Sequence, residues 1–261
     1  MSKSARPKRY ALILAGGSGQ RFWPISRDAQ PKQLLKLFGD KTLLELTIER
    51  LDGIVPKENI LILTNKQQEA TVRSLIKTLP AENIVAEPEK RDTAPAIALA
   101  VGWVVARDPM ATMIVLPADH LIENKAEFQR VLSNASQAAE NSGNLVTVGI
   151  KPTWPCPSYG YVERGRKASI GGVDDQPVWE VARFREKPNP DLAEHFIAQG
   201  NFLWNAGMFI WTIPAIFSEL SRHCPVLADF VSELRGSKDF MPTVAKQFGK
   251  MGVGRALVVD G

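Results

Sequence analysis

The chain has 261 residues, 44% hydrophobic and 23% charged, with a formal net charge of +4. That length and apolar content suffice for one large buried core or two small ones, and so small a charge excess excludes a nucleic-acid footprint. The longest apolar stretch, "AIALAVGWVVA", falls short of the roughly 18–20 residues that span a bilayer, so no membrane contact and a cytoplasmic location are expected.

Lys3, Arg6, Lys8 and Arg9 gather in "MSKSARPKR", and residues 1–9 read as a solvated basic tail ahead of a single mixed α/β domain over 10–261. The short apolar runs "YALILA", "NILILT", "NIVAE", "MIVLPA" and "LVTVGI" follow in order, each separated from the next by a span long enough for a helix. Such alternation predicts βαβ units and a largely parallel sheet. Between the first two runs, "TLLELTIERL" places Leu43, Leu44, Thr47, Ile48 and Leu51 on one helical face. "TAPAIALAVGWVVARD" predicts a mostly buried helix, with Asp92 or Thr93 as cap and Pro95 in the first turn, where its missing N–H costs nothing. After about residue 151, a Pro- and Gly-punctuated loop leads into "SYGYVERG"; "VWEVARFREKP" and "WNAGMFIWTI" also have strand character, and helices follow to about residue 249. These later strands are expected to extend over the sheet edge.

Cys156 and Cys224 stand far apart without metal-type spacing, and His120, His195 and His223 are equally scattered. Neither a disulfide framework nor a zinc site is indicated. Any metal chemistry falls to carboxylates.

The chemistry concentrates in "LAGGSGQRFWPISRDAQPK". A strand runs into a loop containing Gly16, Gly17 and Gly19, where backbone N–H groups can approach and surround a phosphate because no side chain intervenes. No Gly-Lys-Ser/Thr follows, and Phe22 stands where G-x-G-x-x-G needs its third glycine, so Walker A and dinucleotide sites are disfavoured. Arg21 and Lys32 flank the loop, as two cations offsetting a triphosphate would, or as surface charges beside a tight turn.

The stretch "LAGGSGQRFWPISRDAQPKQLLKLFGDKTLLELTIERL" resembles the opening signature of the mannose-1-phosphate guanylyltransferases, within the sugar-1-phosphate nucleotidyltransferases. Further segments resemble that family in the expected order. "EPEKRDTAPAIALA" is similar to a stretch lining the nucleotide pocket and implicates Glu87, Arg91, Asp92 and Thr93, although Asn is the commoner letter at Asp92. "MIVLPADH" puts Asp119 beyond the carboxyl end of a strand, where ligands bind in open α/β sheets, and the resemblance makes it the Mg²⁺ ligand. Tyr159 and Gly160 of "SYGYVERG", Glu186 and Lys187 of "REKP", and Asn205 and Gly207 of "WNAGMF" resemble the sugar and sugar-phosphate segments.

What this resemblance implies is a Rossmann-like nucleotidyltransferase fold with a mixed, mainly parallel central sheet flanked by helices. It also implies transfer of GMP from GTP to mannose 1-phosphate, giving GDP-mannose and pyrophosphate. Arg21 and Lys32 would act on the phosphates, with Leu14, Ala15, Gly16, Gly17 and Gly19 around the nucleotide and Mg²⁺ as cofactor. The resemblance covers roughly residues 10 to 235. The Ser-Ile-Asp-Tyr and Met-Glu-Lys segment expected next is replaced by "KQFGKMGVGRALVVDG", in which Asp260 is the one acid. The domain is therefore expected to lack the family's C-terminal segment, and a non-catalytic or truncated nucleotide- or sugar-nucleotide-binding homologue stands as the alternative reading. An apolar patch left there would favour a homo-oligomer.

Overall fold

The structure, a computed structural model, describes residues 7–17, 31–89, 91, 93–171, 173 and 177–249. β1 (Arg9–Leu14) is followed by α1 (Leu43–Arg50), β2 (Ile60–Asn65), α2 (Glu69–Leu75), β3 (Ile84–Glu87) and α3 (Thr93–Val105). Then come β4 (Thr112–Pro117), α4 (Lys125–Ser142), β5 (Val146–Ile150), β6 (Gly160–Ala168) and β7 (Val178–Glu186). The chain continues through α5 (Pro190–Gln199), β8 (Phe202–Thr212), α6 (Ile213–His223), α7 (Pro225–Gly236) and α8 (Phe240–Phe248).

Four strands in the order β3-β2-β1-β4 pair in parallel. Their residues are buried on both faces, which is why they read as continuous apolar runs rather than alternating ones. On β1, Tyr10 and Leu12 belong to a core shared with Trp103 of α3, Phe230 of α7 and Phe248 of α8. Ala11 and Ile13 belong to a second core with Leu44 and Ile48 of α1, Val72 of α2 and Leu132 of α4. The result is a sheet with helices on both faces. β1 takes in Arg9, which the sequence assigned to the tail, because its guanidinium pairs with Glu140 at 3.3 Å.

β8 inserts antiparallel beside β4, with Ile114 opposite Ile210 and Val115 opposite Phe209. Its other end pairs with β6, Tyr161 facing Trp204, while β5 runs along its opposite edge. The late strands thus do more than extend an edge: β8 joins the parallel strands to the β6–β7 hairpin, and β5 takes β8 rather than β4 as its neighbour. Opposite the β5 irregularity between Thr147 and Gly149, Gly207 adopts φ +66° and donates its N–H to Asn205 Oδ1 at 3.1 Å. A glycine suits this kink, where a side chain would be strained. A small satellite core, with Phe196 of α5 stacked on Phe202 at 4.0 Å, braces the β6 end.

α1 begins with a capping box in which Thr42 and Glu45 satisfy each other's backbone N–H groups, and it buries Leu43, Leu44, Thr47 and Ile48 as expected. Pro95 lies in the first turn of α3. At Gly102 in α3 the neighbouring α7 comes so close that a Cβ would lie 2.9 Å from Leu234 Cβ. Among the described residues no helix is long and apolar enough to cross a membrane. Gly102→Ala is expected to cost about 1–3 kcal/mol, as overpacked cores do, read as a lower midpoint in chemical denaturation; an unchanged midpoint would show that α3 and α7 slide apart freely.

Candidate active site

The strand order turns back between β1 and β4: the chain leaves β1 toward β2 and β3 and then returns to the other side of β1. Such a switch point opens a crevice at the carboxyl ends of the strands. The Gly16–Gly17 loop follows β1 there, and Asp119 follows β4. Ala118 N–H donates to Leu14 O at 3.1 Å, so the two chain exits run side by side.

The glycine loop is held by its carbonyls. Gln33, 4% exposed, donates from Nε2 to Ala15 O at 2.9 Å and to Gly17 O at 3.2 Å. Asn65 donates to Gly16 O at 3.1 Å, Gln68 to Gly17 O at 3.3 Å, and Thr64 to Ala15 O at 3.3 Å. In a planar trans peptide the N–H points opposite to the C=O. Tying the carbonyls of Ala15 and Gly16 to the scaffold therefore turns the Gly16 and Gly17 amides the other way, the arrangement an anion cradle requires. The glycine pattern gave the loop; Gln33, Asn65 and Gln68, which fix it, carried no pattern the sequence reading could detect.

Glu87, at the end of β3, lies against this loop. A Cβ on Gly16 would sit 3.3 Å from Glu87 Oε2. Its other oxygen, Oε1, is buried and has no hydrogen-bond partner. Burial pushes the carboxyl up to about 7. An acceptor withdrawn from water and left unsatisfied is costly.

On the other side of the crevice, Lys32 opens a short 3-10 turn after Pro31, and its Nζ stands 3.5 Å from Asp119 Oδ2. The Asp119 side chain is 43% exposed, open enough to accept a ligand. Burial holds the next residue, His120, below its usual imidazole range; Asp119 opposes that shift, while Lys32 and Arg50 add to it.

Along β8, the pairing with β4 ends at Val115 and Phe209, and Asn205 lies further along the strand on the side of the carboxyl end of β4. Asn205 Oδ1 accepts from Thr147 Oγ1 at 3.2 Å as well as from Gly207. Beside it, a Cβ on Gly160 would lie 2.8 Å from Glu186 Oε2 and 3.4 Å from Asn205 Cβ, so a side chain there would push that carboxylate from its present place. Lys187 Nζ pairs with Glu186 Oε1 at 3.0 Å, and Lys187 N–H donates to Tyr159 O at 3.2 Å. Lys187 has φ +46°, the one non-glycine residue at positive φ among the described residues. Backbone strain of this kind concentrates at functional positions.

Two expected ligand residues have other contacts. The Tyr159 ring packs edge-on against Trp204 at 5.2 Å and Trp154 at 6.4 Å, on the sheet face opposite Gly160 and Glu186, so its backbone is the part near the pocket. Arg91 pairs with Glu89, donates to Gly249 O at 3.2 Å and lies over the Phe248 ring, tying the segment before α3 to α8. Thr93 is the first residue of α3. Gly19, Arg21 and Asp92 lie outside the described residues, as do Phe22 and Asp260. Leu14, Ala15, Gly16, Gly17, Lys32, Glu87 and Asp119 are gathered at the switch point; Gly160, Glu186, Lys187, Asn205 and Gly207 form the adjoining half.

The nucleotidyl transferase family model matches residues 10–248. Mannose-1-phosphate guanylyltransferase of Escherichia coli K12 is 40% identical over 239 residues, covering 90% of this chain and 49% of that protein. The Salmonella typhimurium LT2 enzyme of the same name, ManC, is 41% identical over 236 residues, covering 88% and 48%. A crystal structure of mannose-1-phosphate geranyltransferase from Thermus thermophilus superposes with a TM-score of 0.79 at 34% identity, over 92% of this chain and 68% of that one. The chain spans about half the length of the two guanylyltransferases. With the family match running through nearly all of its length, this chain belongs to the nucleotidyl transferase family.

Proposed function

We propose that the chain transfers GMP from GTP to mannose 1-phosphate, releasing pyrophosphate. The observation that carries the reading is the meeting of a carbonyl-tethered glycine loop with the Glu87 carboxylate, whose Oε2 lies against Gly16 and whose Oε1 is buried without a partner. A phosphate cradle beside a buried acceptor suits a nucleotide whose base offers two adjacent donors. Guanine does so through N1–H and its 2-amino group. An ionised carboxylate accepts both, whereas adenine and the pyrimidines pair a donor with an acceptor on that edge. The names of the guanylyltransferases similar to this chain supply the sugar.

In this reading, a phosphate oxygen of mannose 1-phosphate attacks the α-phosphorus of GTP as the bond to the β-phosphate oxygen breaks. Pyrophosphate leaves with that electron pair, and no proton need move to or from a protein nucleophile. The Gly16 and Gly17 amides and Lys32 stabilise charge on the phosphates, with Arg21 assigned to the same task. Glu186 and Asn205 orient hexose hydroxyls, and Lys187 meets the sugar phosphate. Catalysis is then positioning plus electrostatics.

Asp119 fits a Mg²⁺ site of the kind that shares its ion with substrate. Among the described residues there is no group of three or more His, Cys, Asp or Glu able to hold a metal, and Mg²⁺ usually takes one or two carboxylates, with phosphate oxygens and water completing its shell. Such an ion supplies neutralisation of charge between the phosphates. Lys32 would then turn from Asp119 toward the triphosphate.

With Mg²⁺ and mannose 1-phosphate, GTP is expected to give pyrophosphate release while UTP, dTTP and ATP give little. Asp119→Ala should lower the rate by about 10²–10⁴-fold, and binding of GTP without release from the parent would favour a non-catalytic protein instead. For Glu87, protonation below pH 7 removes its capacity to accept both donors, so kcat/KM for GTP should fall about tenfold per pH unit below that value. Glu87→Gln should narrow the preference for GTP over ITP, which lacks the 2-amino group, by roughly 10-fold or more. Because the folded-state value is raised, the carboxyl favours the fold in its protonated form. Stability should decline as pH rises from the ordinary carboxylate range through 7, and the thermal midpoint of Glu87→Gln should lack that decline.

A further inference from the structure

Arg50 ends α1 with its side chain on the buried face, 5% exposed. Its Nη2 donates to Thr47 Oγ1 at 2.7 Å, within its own helix, and to His120 O at 3.1 Å, seventy residues along the chain. Its guanidinium lies 5.7 Å from the centre of the Phe128 ring of α4, and Gln129 of α4 donates to its carbonyl at 3.0 Å. Nε is buried with no hydrogen-bond partner. Among the described residues no carboxylate pairs with it, and burial pulls this guanidinium down to about 10.

A cation in that position is a poor way to fill a core. Burying a charge without a counter-ion is heavily penalised, and an apolar side chain of similar volume is commonly neutral or better there. The packing role does not need the charge, so the reason for it lies in what the charge touches outside its helix. That is the carbonyl of His120, in the turn that leaves β4 immediately after Asp119. A charge-assisted bond to a carbonyl is stronger and more directional than a neutral one. It is applied here from below the sheet end, on the side of α1 and α4.

We infer that Arg50 is a positioning residue: its guanidinium fixes the Asp119–His120 turn so that the Asp119 carboxylate faces Lys32 and the triphosphate. The assignment of Asp119 to the metal rests on the proposed function; the fixing of the turn rests on the hydrogen bond and burial alone. Arg50 touches no substrate and acts only through the turn. Its loss is therefore felt where Asp119 is used and nowhere else.

The variants are Arg50→Met, which keeps the volume and removes charge and donors, and Arg50→Lys, which keeps a charge with fewer donors. In the parent chain and each variant, hydrogen exchange of the peptide over residues 118–121 is compared with that of β1, alongside thermal midpoint, GTP affinity with and without Mg²⁺, and kcat. Arg50→Met is expected to speed exchange in the turn about tenfold with β1 unaltered, and to keep or raise the midpoint. GTP affinity in chelator should stay within about twofold, while the gain in affinity on adding Mg²⁺ and kcat each fall about tenfold; Arg50→Lys should recover part of both. In an Asp119→Ala background the same substitution should change neither quantity, because residues acting as one unit are non-additive. Unchanged exchange in the turn, or multiplicative effects of the Arg50 and Asp119 substitutions, would overturn the inference. If the parent neither releases pyrophosphate nor binds GTP, the proposed function fails on its own, and faster exchange confined to the turn still supports the fixing role while its absence refutes it.

Discussion

The antiparallel insertion of β8 beside β4 is the constraint on which the rest of the molecule depends. β4 is the last of the parallel strands and carries Asp119 at its carboxyl end, so whatever pairs with β4 decides what stands next to that carboxylate. A further parallel strand would require a crossover and would also end near that level. β8 runs the other way and extends past the end of β4, taking Asn205 and then the Tyr161 pairing of β6 out over the crevice. The kink at Gly207, with its N–H held by Asn205 Oδ1, lies at the departure from regular pairing. One strand therefore sets the spacing between the nucleotide half and the sugar half, and its register cannot slip by one residue without turning Ala206, Met208 and Ile210 out of their core.

Around that frame, polar groups divide into those satisfied by the protein and those left over. Gln33 and Gln68 are 4% and 2% exposed and spend their amides on one another and on the loop carbonyls. These bonds stiffen the loop before any ligand arrives, so less ordering is left to be done on binding. Glu87 Oε1 and Arg50 Nε are buried without partners. Orphaned groups of this kind are rare in folded proteins and call for an explanation. One belongs to a carboxylate whose other oxygen lies against the phosphate-type loop, and the other to a side chain gripping the turn after Asp119.

Much of the frame could be read in the sequence because it follows from local periodicity. The parallel strands are apolar runs buried on both faces, and α1 and α3 have the spacing and first-turn residues of their type. What could not be read depends on distant pairing. "LVTVGI" has strand character, but nothing in it names β8 as its partner. Arg50 ends an amphipathic helix where a basic residue is ordinarily solvated; its burial is decided by a turn seventy residues away. Gln33, Asn65 and Gln68 come from two separate segments and have no spacing that marks them as loop supports. Of the candidate ligands, the glycines and "REKP" were visible as residue types, whereas the turning of the Tyr159 ring toward Trp154 and Trp204 follows from strand alternation in a hairpin not yet paired.

Lys187 shows how such local rules are overruled. Pro188 follows it and would favour an extended conformation, yet its backbone is left-handed at φ +46°. Strain of this sort costs on the order of 1–3 kcal/mol and persists only where the surroundings over-determine it. Here they do: the Lys187 N–H is held by Tyr159 O, the strand before it is fixed by the Gly160–Glu186 pair, and Asn189 caps the helix that begins at once with Pro190. With extended strand on one side and a capped helix on the other, the chain must reverse within two residues. The left-handed turn at Lys187 achieves that reversal and leaves its ammonium beside Glu186 at the mouth of the pocket. A glycine would make the same turn without strain but without the charge, so the strain is the cost of having a cation at that point.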